Sequence, residues 1–331
     1  MVLASFVVAV RNEADRIRRC LDSILSQTYK DFEVIIIDGG STDGTLDIVK
    51  QYIKENSDKV KLLFDPSLGP GYARNLGAEA ARGKVLVLLD GDDEINSRYL
   101  ENVMRHFDDP KVAGVFVRII FCSRPNLWGR VQDVWKWIRW SKNFERFPSV
   151  LLKKVFWDVG GYDKDLFVGE DYDLYLRIKD YIKQNGLKLT FEKDAIIYVA
   201  SEDTLKSILR HEIWFGKGLL KIVKVYPRYG IPILFWSIFN AIFPASIILF
   251  VILDLGVIYT FILIYLLLYL AIWLSFFAKA FIKRKRLYPL KYILLIPPLQ
   301  VLVGVGVIIG TILSLMSQRP VSYTHLTLPT N

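Results

Sequence analysis

Three carboxylates stand within four residues at Asp90-Gly91-Asp92-Asp93, directly after the apolar run Val85 to Leu89. Carboxylates this close repel one another unless a cation offsets them. Hard oxygen donors suit Mg²⁺ or Mn²⁺, which keep water and take one or two carboxylates together with substrate phosphates. The cluster lacks the ligand ladder and distal Glu of an EF-hand, and the chain has no G-x-x-x-x-G-K-[ST] loop. Two more polar groups follow apolar runs: Arg11-Asn12-Glu13 after Phe6 to Val10, and Asp38-Gly39-Gly40-Ser41 after Val34 to Ile37. Ser41-Thr42 and Asp43-Gly44 also suit a helix cap and a turn. A second acidic group, Gly169-Glu170-Asp171-Tyr172-Asp173, precedes Leu174, Ile178, Tyr181 and Ile182 at helical spacing. These acids either cap a helix N-terminus or supply a general base there. In Gly69-Pro70-Gly71-Tyr72-Ala73-Arg74-Asn75 an arginine stands where a dinucleotide fingerprint has its third glycine. Arg74 either reaches a phosphate or braces the acidic loop.

The elements that must hold these groups are legible in the apolar spacing. Phe6–Val10, Val34–Ile37, Val60–Phe64 and Val85–Leu89 are continuous apolar or near-apolar runs. Between them, Ile17, Leu21, Ile24 and Leu25, then Leu46, Val49, Tyr52 and Ile53, recur at helical spacing, and 73–81 reads as a helix. Buried strands alternating with helices predict an α/β domain with a parallel sheet covered on both faces. In such a sheet the strand ends share one edge, where ligands bind. The three polar clusters should therefore converge, with Asp93 read as a helix cap.

Past residue 230 the composition changes. The runs 231–253, 255–278 and 292–317 carry no charged side chain and are long enough to cross ~30 Å of hydrocarbon. Three transmembrane helices are expected in a membrane domain of 223–318, with Pro232, Pro244, Pro297 and Pro298 kinking or ending them. Lys217, Lys221, Lys224 and Arg228 precede the first run, and Lys283 to Arg286 lie between the second and third. Both basic loops are expected on the cytoplasmic side, which puts the C-terminus outside. The chain is 52% hydrophobic with mean hydropathy +0.29, and its net charge is +9. That charge gathers near the apolar runs, which points to membrane lipids and away from nucleic acid. In 127–142, Trp128, Val131, Trp135 and Ile138 share one helical face among basic residues. This helix packs into a core or lies along the membrane interface. Phe6–Val10 is too short for the core of a secretory signal, so the N-terminal domain is expected in the cytosol. Cys20 and Cys122 are expected as buried thiols of a reducing compartment. The tail 319–331, without periodicity from Val321 on, is read as non-native.

Taken in order, Ala9-Val10-Arg11-Asn12-Glu13, Ile37-Asp38-Gly39-Gly40-Ser41-Thr42-Asp43-Gly44-Thr45, Ala73-Arg74-Asn75-Leu76-Gly77, Leu89-Asp90-Gly91-Asp92-Asp93 and Gly169-Glu170-Asp171-Tyr172-Asp173-Leu174 resemble the family-two glycosyltransferases with the GT-A fold. The resemblance covers roughly residues 1–220. It implies inverting transfer from a nucleotide-sugar to a membrane-associated acceptor: a polyprenyl phosphate, a lipid-linked glycan or a glycolipid. It implies donor contacts from Ala9, Arg11, Asn12, Glu13, Asp38, Arg74, Asp90 and Gly91. Asp92 and Asp90 would serve a Mn²⁺ or Mg²⁺ ion, and Asp171, beside Glu170, would be the base. Arg210, His211 and Trp214 fall where related enzymes carry a segment that closes over donor and acceptor. Two departures stand out: Ala9 replaces the family's common proline, and Asp38-Gly39 replaces its common Asp-Asp. A non-catalytic nucleotide-sugar-binding subunit and a processive polysaccharide synthase are the alternatives.

Overall fold

The structure, a computed structural model, describes residues 3–66, 69–123, 126–139, 149–253 and 295–316, with isolated positions at 267, 270, 271, 274, 278 and 292. Side chains of 137–139 and 242–253, the expected second crossing apart from those isolated positions, the basic stretch 279–291 and the tail 319–331 lie outside this description. The chain divides into two units. One holds residues 1–122 and 142–200, and the other holds 123–141 and 201–320.

The first unit is built on one sheet. Its strands are β1 (Ala4–Val10), β2 (Phe32–Asp38), β3 (Val60–Phe64), β4 (Val85–Asp90), β5 (Asp93–Ile95), β6 (Val112–Phe121), β7 (Val150–Leu152) and β8 (Lys188–Val199). They lie in the order β3-β2-β1-β4-β7-β6-β8-β5. The four strands expected from sequence are the parallel half. β1, β2 and β4 write continuous apolar runs because they are buried on both faces, while β3 is the edge strand, with Lys61 and Phe64 exposed. Beyond β4 the sheet turns mixed: β7 is antiparallel to β4 and β6, and β5 is antiparallel to β8. The parallel sheet read from those four runs is present, and the sheet continues past it with strands the apolar spacing had not marked. Helices α1 (Ile17–Leu25) and α2 (Thr45–Glu55) cover one face, packing Leu21, Ile24 and Val49 on Phe6, Val8, Val34 and Ile36. On the other face lie α3 (Pro70–Ala80), α6 (Lys153–Asp158) and α7 (Glu170–Asn185), with Ala73, Phe156 and Ile178 in one core with Val7, Ile35 and Leu86. The short α4 (Tyr99–Met104) precedes β6.

Helix α3 starts at Pro70, before the expected Ala73, since proline's fixed φ and missing N–H suit a first helical position. It sits close to the sheet because residue 77 is glycine. A Cβ there would fall 2.5 Å from both Val7 and Ile37 side chains.

The second unit is helical: α5 (Leu127–Arg139), α8 (Leu205–Val225), α9 (Pro227–Leu253) and α10 (Ile296–Met316). Val131, Val134 and Trp135 of α5 are buried with Ile208, Ile296 and Leu299, so that face of α5 is core. α8 begins at a capping box formed by Thr204 and Ser207. α8 and α10 meet backbone to backbone: a Cβ on Gly310 would lie 2.0 Å from the Ile213 carbonyl oxygen, and the Thr311 hydroxyl donates to the Gly216 carbonyl at 3.1 Å. Neither Pro232 nor Pro244 ends α9, which runs through both. Among the described residues, α10 is the one helix long and apolar enough to cross a bilayer. Cys20 is buried as expected, whereas Cys122 is exposed at the end of β6.

Candidate active site

The polar clusters do converge, because β1 lies between β2 and β4. Val10 pairs in register with Asp38, and Ala9 with Asp90. The loops after β1 and β2 are stitched together. The Asn12 amide donates to the Ser41 hydroxyl at 2.9 Å, and the Thr42 amide donates to the Asn12 side chain at 2.8 Å. The Glu13 amide donates to Thr45 Oγ1 at 2.8 Å, and the Ala14 amide to Asp43 Oδ2 at 3.1 Å. These bonds hold Asn12 at φ +55°, in the left-handed region that asparagine tolerates. Ser41 and Asp43, read from sequence among the cap and turn residues, therefore hold the two loops together with Thr45, and the Asn12 side chain is used to shape the loop.

Asp38 is buried. Its Oδ2 accepts the amides of Gly40 and Ser41, both at 2.9 Å, while Oδ1 has no hydrogen-bond partner among the described residues. An orphaned buried acceptor is costly unless a ligand supplies a donor. At Gly39, where the family commonly has a second Asp, a Cβ would meet the Arg11 side chain at an ordinary 3.7 Å.

After β4 the chain turns through Gly91 and Asp92. A Cβ on Gly91 would lie 2.8 Å from Val10, so glycine lets the turn cross the end of β1. Asp93 is not the helix cap expected from sequence. It opens β5, and its buried carboxylate accepts the Asp90 amide at 3.0 Å, closing the turn on itself.

Arg74 gathers the rest. It is nearly buried on α3, with its Nη2 2.5 Å from Asp90, Nη1 3.2 Å from Glu170, and Asp171 at 3.9 Å. Of the two roles left open for it, the brace of acidic groups is the one its contacts fill. Gly169, at φ +79°, caps α7, whose first turn carries Glu170, Asp171 and Asp173. Asp173 is spent on Arg177 of the same helix. Burial, then the charge of Asp171, pushes the Glu170 carboxyl up to about 8, although Arg74 opposes this. Burial pushes Glu13 up to about 8 as well, with Asp92 adding to it, Arg16 opposing, and Asp90 and Asp43 adding. Arg16, at the start of α1, reaches Asp92 at 3.4 Å and Glu13 at 3.7 Å.

Arg16 and Tyr162 escaped the sequence reading, and Asn75 stood in a quoted motif without a role. The Tyr162 hydroxyl donates to Asp171 Oδ1 at 2.9 Å, and the Arg74 guanidinium lies over its ring at 5.4 Å. Burial, then the charge of Asp171, pushes the Tyr162 phenol well above its ordinary range, so it remains a donor. Asn75 clamps the Tyr162 backbone, accepting its amide and donating to its carbonyl, both at 2.8 Å. The available signal was Gly160-Gly161 ahead of Tyr162. Gly161 has φ +65°, and a Cβ there would meet Asn75 Oδ1 at 2.7 Å.

Arg210, His211 and Trp214 belong to α8 in the helical unit. His211 lies 3.8 Å from Glu202 and 3.5 Å from Glu212, with its ring 5.8 Å from that of Trp214. Glu202 also meets Lys136 at 3.3 Å. Despite burial, which works the other way, the charges of His211 and Lys136 hold Glu202 down at about 2.

A parallel sheet whose strand ends carry paired carboxylates, extended by mixed strands, defines the GT-A class, and the first unit is a glycosyltransferase domain of that class. The family model for glycosyl transferase family 2 matches residues 5–165. An uncharacterized glycosyltransferase of Haemophilus influenzae is 39% identical over 233 residues, 68% of this chain and 92% of that protein. The chain belongs to glycosyl transferase family 2. An uncharacterized glycosyltransferase of Nostoc sp. is 36% identical over 111 residues, and there the match spans about a third of each chain (34% and 34%). A crystal structure of S. aureus TarS 1-349 in complex with UDP is similar with a TM-score of 0.48 at 20% identity, over 70% of this chain and 74% of that one.

Proposed function

We propose that the chain is an inverting glycosyltransferase that moves a sugar from a nucleotide-diphosphate donor to a membrane-associated acceptor, with Mn²⁺ or Mg²⁺ as cofactor. The observation that carries this reading is the Arg74 bridge. One nearly buried guanidinium meets Asp90 at the end of β4 and Glu170 and Asp171 at the start of α7. Donor-side and base-side carboxylates thus stand on one rigid cross-brace.

The residues fit a hard divalent ion. Asp92 and Asp90 are partly exposed oxygen donors, and Glu13 is driven toward its neutral form partly by Asp92, which marks surplus negative charge. No group of three ligands closes a cage among the described residues. Two carboxylates with water and diphosphate oxygens match the way Mg²⁺ is held at phosphate sites. Arg74 takes an oxygen of Asp90, so Asp92 is the direct ligand and Asp90 the donor-side carboxylate. The ion, when bound, neutralises charge developing on the leaving diphosphate.

The chain's own residues do the rest. Asp38 Oδ1 offers an acceptor to an N–H of the nucleobase. Arg11, Glu13, Ala9 and Gly91 line the strand ends around it, with Asn12 holding their loop. Asp171, fixed by Tyr162, takes the proton of an acceptor hydroxyl attacking the anomeric carbon from the face opposite the leaving group. Toward a lipid phosphate, already anionic, Asp171 orients instead of deprotonating.

The acceptor class rests on the helical unit. Its helices expose Ile231, Phe235, Leu315 and Met316, and α10 is of membrane-crossing length and composition. In this reading residues 1–222 form a cytosolic catalytic domain and 223–318 cross three times, with the C-terminus outside. Arg210, His211 and Trp214 on α8 serve the acceptor. The test uses the full chain in lipid nanodiscs with Mn²⁺, screening UDP-, GDP- and dTDP-sugars against polyprenyl phosphate and glycolipid hydroxyls. Transfer with inverted anomeric configuration is expected, and Asp92→Ala or Asp171→Asn should abolish it. Full activity in either variant sinks the site assignment, and a retained configuration sinks inversion.

A further inference from the structure

Arg16 belongs to no recognised motif of the chain, yet it touches the carboxylate assigned to the metal. Its Nη1 lies 3.4 Å from Asp92 Oδ2 and 3.7 Å from Glu13 Oε2. The Arg16 and Ile17 amides donate to the Glu13 carbonyl at 2.9 and 2.8 Å, so one tight turn sets the spacing of the two side chains. All three side chains keep about a quarter of their exposure: 27% for Arg16, 22% for Asp92 and 26% for Glu13. The contacts are long and wet, unlike the 2.5 Å approach of Arg74 to Asp90. A guanidinium and a divalent ion both draw on the same carboxylate, and the charge each brings repels the other.

Resting on the function proposed above, we propose that Arg16 is a tethered counter-cation that competes with the divalent ion for Asp92, so that the ion is held firmly only when a diphosphate adds its oxygens. Displaced from Asp92, the guanidinium remains on its turn as a positive charge beside the incoming diphosphate. Arg16 is thus a positioning residue for the ion, acting through Asp92.

Manganous ion alone is the probe, its binding to the full chain followed by paramagnetic resonance with and without UDP. Arg16→Gln should bind free Mn²⁺ more tightly, by up to about fivefold, the worth of a partly exposed ion pair. Arg16→Lys, which keeps the charge, should stay near wild type. With UDP present the gap between wild type and Arg16→Gln should shrink. A merely structural arginine would lower the melting temperature of Arg16→Gln without tightening the ion. Unchanged or weaker Mn²⁺ binding by Arg16→Gln, or an equal gain in Arg16→Lys, overturns the competition. Asp92→Asn separates the two claims. If it binds Mn²⁺ like wild type, the metal assignment itself fails and the competition fails with it. If it loses the ion while Arg16→Gln gains nothing, only the role of Arg16 fails.

Discussion

Two arginines meet carboxylates at the same edge of the sheet, and they do so under opposite conditions. Arg74 comes from α3, which Gly77 lets sink onto the sheet and Asn75 pins to the Tyr162 backbone. Its side chain is 7% exposed. Arg16 comes from the turn that leads into α1, where solvent reaches it and both of its acids. The residue type and the partner type are the same. Burial decides the consequence: removing one partner of a buried pair strands a charge, whereas an exposed pair is worth little and exchanges readily. The proposed site, rigid at Asp171 and permissive at Asp92, has use for both.

The largest expected effect follows from breaking the buried brace. Arg74→Met strands the Asp90 charge and leaves the Glu170 carboxyl without its donor, and should destabilise the fold by about 3 kcal/mol, the low end for such pairs because Asp90 is partly exposed. Transfer should vanish with it. Arg74→Lys should fail nearly as badly, since one ammonium cannot serve Asp90 and Glu170 as a planar fork does. Arg16→Lys is expected to be mild, so equal damage from the two lysine variants, read by urea unfolding, would erase the contrast.

Next comes pH. Glu170 titrates near 8 in the folded chain, above its ordinary 4.5, because burial and Asp171 disfavour its charged form. A raised folded value means that its contribution to stability is complete below about 4.5 and is lost as pH rises through about 8. The slope cannot exceed ~1.4 kcal/mol per pH unit for one proton. Unfolding free energy of the wild type should therefore fall between pH 5 and 9, and Glu170→Gln should flatten that fall. An unchanged slope in the variant would assign the titration to another group, with Glu13 the next to test.

How much of this was visible in the sequence follows the range of each interaction. β1, β2 and β4 were legible because strands buried on both faces write continuous apolar runs, and β3 because its edge position still keeps four apolar residues of five. β5 and β7 have three residues each, and the β6–β8 pairing carries register shifts after Val112 and Val117, so no clean period marks that half. Asp90, Asp92 and Asp171 drew attention because acids cluster there in sequence, and the structure brings Asp90 and Asp171 to one arginine. Arg74 was left between phosphate and brace because Glu170 lies 96 residues away, and spacing says nothing about such a partner. Asp93 was misread because an acid after a turn suits a cap equally well. Its bond back to the Asp90 amide depends on the turn through Gly91.

The smallest effect tests whether the rigid side of the comparison reaches the base. Tyr162→Phe removes one hydroxyl, the donor 2.9 Å from Asp171 Oδ1. The ring keeps its place beside Phe156, 5.8 Å away, and under Arg74. Losing a single hydrogen bond to a charged group should cost ~1–2 kcal/mol at most, so the protein folds and the proposed metal and donor positions are undisturbed. What changes is the freedom of Asp171, whose remaining cation, Arg74, lies at 3.9 Å and is committed to Asp90 and Glu170. A base free to rotate spends less time aimed at the acceptor. The expected result is a kcat lowered several-fold with donor KM and Mn²⁺ affinity unchanged. A change in donor KM with kcat intact would move Tyr162 from the base to the donor side. An inert substitution would mean that Arg74 alone orients Asp171, making the buried arginine the sole organiser of that half of the site.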